Sequence, residues 1–200
     1  MAMNVPTIPP QAVIFDMDGT LTVATIDFDA IRAEIGIAHG PILEAVLLMT
    51  GEQRRRADAI LHRHEADNAA ISRLQPGAAE VVVAIRSAGI RVALMTRNTR
   101  ESTSVFIQRH GIEFDLLRTR EDGPMKPSPE PILDICRAFG VSPTDTWAIG
   151  DFHFDILCAN AAGSVSVLFH DPAIPRPQWA GEADHVILNL RELLPMMGLA

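Results

Sequence analysis

Asp16 and Asp18 flank Met17 and are followed by Gly19 and Thr20, directly after the apolar run Ala12-Val13-Ile14-Phe15. If the backbone stays extended here, both carboxylates point the same way and Met17 points away. Gly19 permits a turn and the close approach of a ligand. The same residues also suit an ordinary Asp-Gly turn with incidental acids. A calcium loop is excluded: its sixth position would be Leu21 where glycine is needed, and Asp27 would replace the closing glutamate.

Three further stations follow. Met95-Thr96-Arg97-Asn98 ends a second apolar run, where a hydroxyl beside free backbone N–H groups can hold a phosphate oxygen. Thr96 or Asn98 can equally serve only as a helix cap. Lys126-Pro127 precedes a proline-started helix and offers a point charge for a phosphoryl group, although a lone lysine also suits plain solvation. Gly150-Asp151-Phe152-His153-Phe154-Asp155 brings two more acids to a strand end. Carboxylate oxygens of this kind suit Mg²⁺, whereas Asp155 alone could also be an N-cap.

The elements that must position these residues alternate. Buried strands are expected at 12–15, 90–95, 114–117, 146–149, 165–169 and 185–187. Helices are expected at 78–88, 99–110, 129–139, 154–162 and 189–196, many closed by glycine. Strand–helix alternation implies parallel crossovers and a sheet covered on both faces. Residues 23–75 break the pattern. Phe28, Ile31 and Ile35, then Ile42, Val46 and Met49, then Ala57, Ile60, Leu61, His64 and Ala66 are spaced for three helices, with His39-Gly40-Pro41 as a connection. Such an insertion would sit as a cap over the carboxyl ends of the strands, where open α/β sheets bind ligands.

Composition narrows the class. The chain has 200 residues, 48% of them hydrophobic, and a net charge of -8, which disfavours nucleic acid and anionic membranes as partners. Cys136 and Cys158 belong to no C-x-x-C pair and read as reduced core thiols of a cytoplasmic protein. The N-terminal MAMNVPTIPP is proline-rich and reads as neither a signal peptide nor an anchor.

The order Asp-x-Asp-Gly-Thr, Thr, Lys and Gly-Asp-x-x-x-Asp at the same end of consecutive βα units resembles the haloacid dehalogenase superfamily, particularly its phosphatases with a helical cap of the phosphoglycolate-phosphatase type. Ala161-Ala162-Gly163 and the stretch from Ala183 to Ile187 also look like that family. The resemblance covers roughly residues 11–195 and implies a Rossmann-like three-layer α/β core (1–21 and 76–200) with a small all-helical cap (22–75). It further implies Mg²⁺-dependent hydrolysis of a small phosphorylated metabolite. Asp16 would form an aspartyl phosphate, with Asp18 as general acid and base, and Thr96 and Lys126 would complete the catalytic set. Mg²⁺ would be held by Asp16, Asp151 and the Asp18 carbonyl, with Asp155 positioning Lys126 or a metal-bound water. Gly19, Thr20, Thr96, Arg97, Asn98 and Lys126 would contact the substrate.

An acid at position 18 favours phosphate esters over halides, because an alkoxide needs a proton to leave. A phosphomutase sharing the intermediate is the nearest alternative. A phospho-accepting receiver domain and an idle binding protein rank below it. Thr22-Val23-Ala24-Thr25 departs from the acidic residue and serine common in phosphoglycolate-phosphatase-like members. Phe152, His153 and Phe154 either wall a pocket or pack and solvate. The cap's basic residues, Arg32, Arg54, Arg55, Arg56, His62, Arg63 and His64, are read chiefly as a solvated face. Substrate identity and oligomeric state, monomer or weak dimer, are left open.

Overall fold

A computed structural model describes residues 9–199, so most of the N-terminal MAMNVPTIPP segment lies outside the described residues. The strands are β1 (Ala12–Phe15), β2 (Arg91–Met95), β3 (Leu116–Arg118), β4 (Thr146–Gly150), β5 (Val165–Phe169) and β6 (His185–Ile187). The helices are α1 (Phe28–Ile35), α2 (Ile42–Leu47), α3 (Gly51–Ile71), α4 (Ala78–Ser87), α5 (Arg100–His110), α6 (Glu130–Phe139), α7 (His153–Ala162) and α8 (Leu193–Met196). All strand pairs are parallel, in the order β3-β2-β1-β4-β5-β6.

The two-residue period of a strand sorts the core into two layers. Val13 and Phe15 face one side with Leu94, Ile149, Ile85 of α4 and Phe106 of α5. Ile14 faces the other with Ala93, Ala148, Ile135 of α6 and Ala159 of α7. Both faces are therefore covered, and the fold is a three-layer, Rossmann-like α/β sandwich. This explains why β1 is apolar without alternation: all four of its side chains are fully buried. The order reverses between β1 and β4, which opens a crevice outside their carboxyl ends.

The insertion between β1 and α4 comprises α1, α2 and α3 and has its own apolar core of Ile31, Ile42, Val46, Ala57 and Leu61. Its two connections run side by side: Val23 N–H donates to Arg73 O at 2.9 Å and Gln75 N–H to Leu21 O at 2.8 Å.

Three elements differ from the sequence expectation. α3 spans 21 residues, longer than its apolar marking, because its first turns are exposed and carry no hydrophobic stripe. β3 starts at Leu116 rather than Phe114, and Asp115 instead joins the edge of β2 through its backbone and its carboxylate, which accepts from Val92 N–H at 2.8 Å. The helix expected over 189–196 is split into a 3₁₀ turn, Leu190–Glu192, and the short α8. Pro195 has no N–H to give the Arg191 carbonyl, so an unbroken α-helix cannot form there.

Candidate active site

Asp16 continues β1, with its N–H bonded to the Ile149 carbonyl at 2.9 Å. The backbone then turns, and Leu21 and Thr22 N–H both donate to the Met17 carbonyl. Met17 is buried in the α4 layer, while Asp16 and Asp18 line a cavity of about 620 Å³ between the sheet's carboxyl edge and the insertion. Thr96, Arg97, Asn98, Lys126, Asp151 and Asp155 line the same cavity.

Two glycines let the carboxylates meet. Gly19 has φ +83°, and a Cβ there would collide with the Asp151 carboxylate. A Cβ on Gly150 would strike the Asp155 side chain. β1 and β4 are hydrogen-bonded neighbours, so the turns that follow them bring residues more than 130 positions apart together. Thr20 Oγ1 donates to Asp151 Oδ1 at 2.9 Å.

Lys126 is buried, and its ammonium donates to Asp16 Oδ1, to Asp155 Oδ1 at 2.5 Å and to the Met95 carbonyl at 3.2 Å. Burial alone would lower its pKa, but the Asp155 and Asp16 carboxylates outweigh that and raise it. Lys126 therefore stays charged. Asp155 Oδ2 accepts from Phe152 N–H at 3.0 Å, so the acid both holds the lysine and caps α7. Burial lifts Asp16 well above the usual carboxylate range against the pull of Lys126, and the charges of Asp155 and Asp151 add to the rise. Asp151 is pushed up to about 7, first by burial and then by Asp155. Carboxylates crowded in this way call for a cation. One oxygen from each of Asp16, Asp151 and Asp155 lies within 4.8 Å of the others, an all-oxygen donor set that fits a hard divalent ion such as Mg²⁺.

Asp18 is held from two sides. Asn98 Nδ2 donates to its Oδ2, and Asn68 Nδ2 donates to its Oδ1 at 2.9 Å. Burial raises its pKa and the two amides oppose the rise. Thr96 Oγ1 accepts from Asn98 N–H at 3.1 Å and so orders the turn after β2. Thr99, one residue on, caps α5 by accepting from Ser102 N–H.

Asn68 was not among the sequence candidates. Its signal is the spacing Ala57, Leu61, Glu65, Asn68, a single face of α3 that turns from apolar to polar toward the site, all four being buried. Glu65 belongs to the same face. It accepts from Arg120 at 2.6 and 3.2 Å and from Thr99 N–H at 3.3 Å, which ties α3 to the core. Arg97 does not point at the carboxylates. It donates to Glu44 of α2 at 2.5 Å and lies 4.8 Å over the Phe154 ring.

Phe152 and Phe154 meet edge to face at 5.2 Å and line the cavity. His153 stacks on Trp179 and pairs with Glu182 outside it. Of the insertion's basic residues only Arg32 lines the cavity. Arg54, Arg55 and Arg63 pair with Asp58, Glu52 and Glu34 on the surface. Cys136 and Cys158 are free, buried thiols. No helix of the described residues is long and apolar enough to cross a membrane.

The doubly wound parallel sheet thus carries a carboxylate cluster and a buried lysine at its switch point, where open α/β sheets bind ligands. A family model for haloacid dehalogenase-like hydrolases matches residues 10–163, and the chain belongs to that family. A haloacid dehalogenase-like hydrolase domain-containing protein of Arabidopsis thaliana is 33% identical over 174 residues, covering 80% of this chain and 71% of its own. A phosphoglycolate phosphatase of Thiobacillus denitrificans is 28% identical over 184 residues, covering 78% and 81%. The crystal structure of a predicted phosphoglycolate phosphatase from Haemophilus somnus shares the fold, with a TM-score of 0.73 at 20% identity over 93% of this chain and 97% of that one.

Proposed function

We propose that this hydrolase is a Mg²⁺-dependent phosphatase acting on a phosphorylated metabolite, with Asp16 as covalent nucleophile. The observation that carries the reading is the placement of Asp16: it lines the cavity with Oδ1 held by Lys126, and no side-chain hydrogen bond from a described residue occupies Oδ2. Of the described residues, 9–21 and 76–199 belong to the catalytic core and 22–75 to the cap.

Asp16 Oδ2 attacks phosphorus, its new O–P bond replacing the ester P–O bond. Asp18, raised toward its protonated form by burial, gives its proton to the departing alkoxide. It then takes a proton from the water that cleaves the aspartyl phosphate, which restores both acids. Lys126 supplies fixed positive charge beside the transferring group, and the Thr96 hydroxyl and nearby backbone N–H groups hold its remaining oxygens. Mg²⁺, when bound by Asp16, Asp151 and the Asp18 carbonyl, with Asp155 in reach, offsets the repulsion between an anionic nucleophile and a dianionic phosphate. A cytoplasmic setting fits two reduced thiols.

The test is release of inorganic phosphate from a panel of phosphate monoesters with and without Mg²⁺. Asp16→Asn abolishes release, and Asp18→Asn lowers it about 10²–10⁴-fold. Activity persisting in pure Asp16→Asn protein overturns the assignment.

A further inference from the structure

The cavity is far larger than the reacting group requires. Its volume, about 620 Å³, lies among pockets that enclose drug-sized ligands, roughly 300–1,000 Å³. Away from Asp16 its wall is apolar: Ile26, Phe28, Ile31, Ile42 and Leu61 from the insertion, with Phe154 from the core. At 53% and 56% exposure, Phe28 and Phe152 are large hydrophobic side chains left open to solvent on this lining. Such residues at a site mark the chemistry of what enters.

Charge points the same way. The lining cations are already engaged. Lys126 serves Asp16 and Asp155, Arg97 is taken by Glu44 at 2.5 Å, and Arg32 pairs with Asp29 at 2.5 Å. Glu44 and Glu65 of the same wall are the partners of Arg97 and Arg120, so among the described residues the wall offers no side-chain cation without a carboxylate partner. A second anionic group on the substrate would have to displace one of these pairings, and Arg32–Asp29, with its carboxylate in solvent, is the cheapest to break.

Resting on the phosphatase reading above, we infer that the preferred substrate is the phosphate monoester of a bulky, uncharged, largely apolar alcohol, whose body packs against Phe28, Ile31, Ile42 and Phe154. The reaction is ROPO₃²⁻ plus water giving ROH and phosphate. The P–O bond to the alcohol oxygen breaks, and that oxygen leaves with the proton from Asp18.

The experiment is a steady-state series with Mg²⁺ on ethyl, butyl, hexyl and octyl phosphate, read by released phosphate beside phosphoglycolate, ω-carboxyhexyl phosphate and glucose 6-phosphate. Leaving-group basicity is nearly constant along the alkyl series, so chain length reports burial alone. Each fully buried methylene is worth at most roughly fourfold in kcat/KM. The expected result is a rise of at least tenfold from ethyl to hexyl, with hexyl phosphate at least tenfold better than its ω-carboxylate and than glucose 6-phosphate. Phe28→Ser, at a half-exposed position that spares the fold, reduces the hexyl-to-ethyl ratio at least threefold. A flat series, or phosphoglycolate or the sugar phosphate exceeding hexyl phosphate, overturns the inference while leaving the phosphatase standing. So does a preference for the ω-carboxylate that Arg32→Gln removes. No phosphate release from any ester, with wild type no better than Asp16→Asn, sinks the phosphatase reading and this one with it.

Discussion

Asn68 of α3 donates its side-chain amide to Asp18 Oδ1 at 2.9 Å, across 50 positions of sequence, and its own carbonyl oxygen accepts from the Thr25 hydroxyl at 2.5 Å. An acid at the end of a core strand is thus oriented by a residue of the helical insertion. Any movement of the insertion relative to the sheet would take this donor away. On the proposed mechanism, catalysis is thereby tied to the position of the insertion.

Asn68→Ala therefore lowers kcat with little change in KM. A hydrogen bond to a charged group is worth about 1.5–3 kcal/mol, so the loss is roughly 10- to 150-fold. Asn68→Asp is worse, because a second carboxylate then faces Asp18. Steady-state kinetics of both variants, with circular dichroism to show that α3 persists, decide the matter. An unchanged kcat for Asn68→Ala would remove the positioning role.

Lys126→Met leaves two buried carboxylates without their shared cation. Breaking a buried pair in this way costs about 3–5 kcal/mol, which urea unfolding of the metal-free protein will read. Adding Asp155→Asn to Lys126→Met recovers part of the loss, since one of the stranded charges is removed. A double variant no more stable than Lys126→Met contradicts this picture.

Gly19→Ala acts on both backbone and ligand. Position 19 sits at φ +83°, and the added Cβ displaces the Asp151 carboxylate. The backbone strain is of order 1–3 kcal/mol, and Mg²⁺ affinity falls with it. In wild type, Mg²⁺ at 100 times its dissociation constant raises stability by about 2.7 kcal/mol. Thermal melts with and without the ion should show that rise in wild type and little of it in Gly19→Ala or Asp151→Asn.

Glu65, on the insertion side of the cavity, sets a further pH dependence. Burial raises its pKa above the ordinary value, against the pull of Arg120. The folded state therefore holds the proton more tightly than the unfolded chain. Its stabilising contribution is fully present below the unfolded value and is lost as pH rises through the folded one. The stability of wild type relative to Glu65→Gln should fall as pH climbs from about 4.5, the ordinary value, toward neutrality. A difference that grows with pH instead would reverse the assignment.

Much of the architecture can be read from the linear pattern because parallel strands buried on both faces must be apolar throughout. Ala12–Phe15 and Val165–Phe169 announce themselves in that way, and glycine closes α5, α6 and α7 where the pattern stops. The split after Asn189 was hidden, because the spacing of Leu190, Leu193 and Leu194 suits a helix and only the missing N–H of Pro195 interrupts it. The start of α3 was hidden too, since Arg54, Arg55 and Arg56 carry no apolar period.

For the site, residue order read with the family resemblance singled out Asp16, Asp18, Thr96, Lys126, Asp151 and Asp155, and the fold brings all six to one cavity because strand ends in a parallel sheet fall on one edge. What the linear order could not contain is pairing between side chains of separate elements. Only the folded chain decides that Lys126 also reaches Asp16, that Asn68 reaches Asp18, and that Arg97 turns to Glu44 rather than to the carboxylates. The last two follow from how α2 and α3 lie over the sheet and the first from how the segment before α6 crosses the end of β1, packing outcomes set by buried apolar surface that have no local signature in sequence.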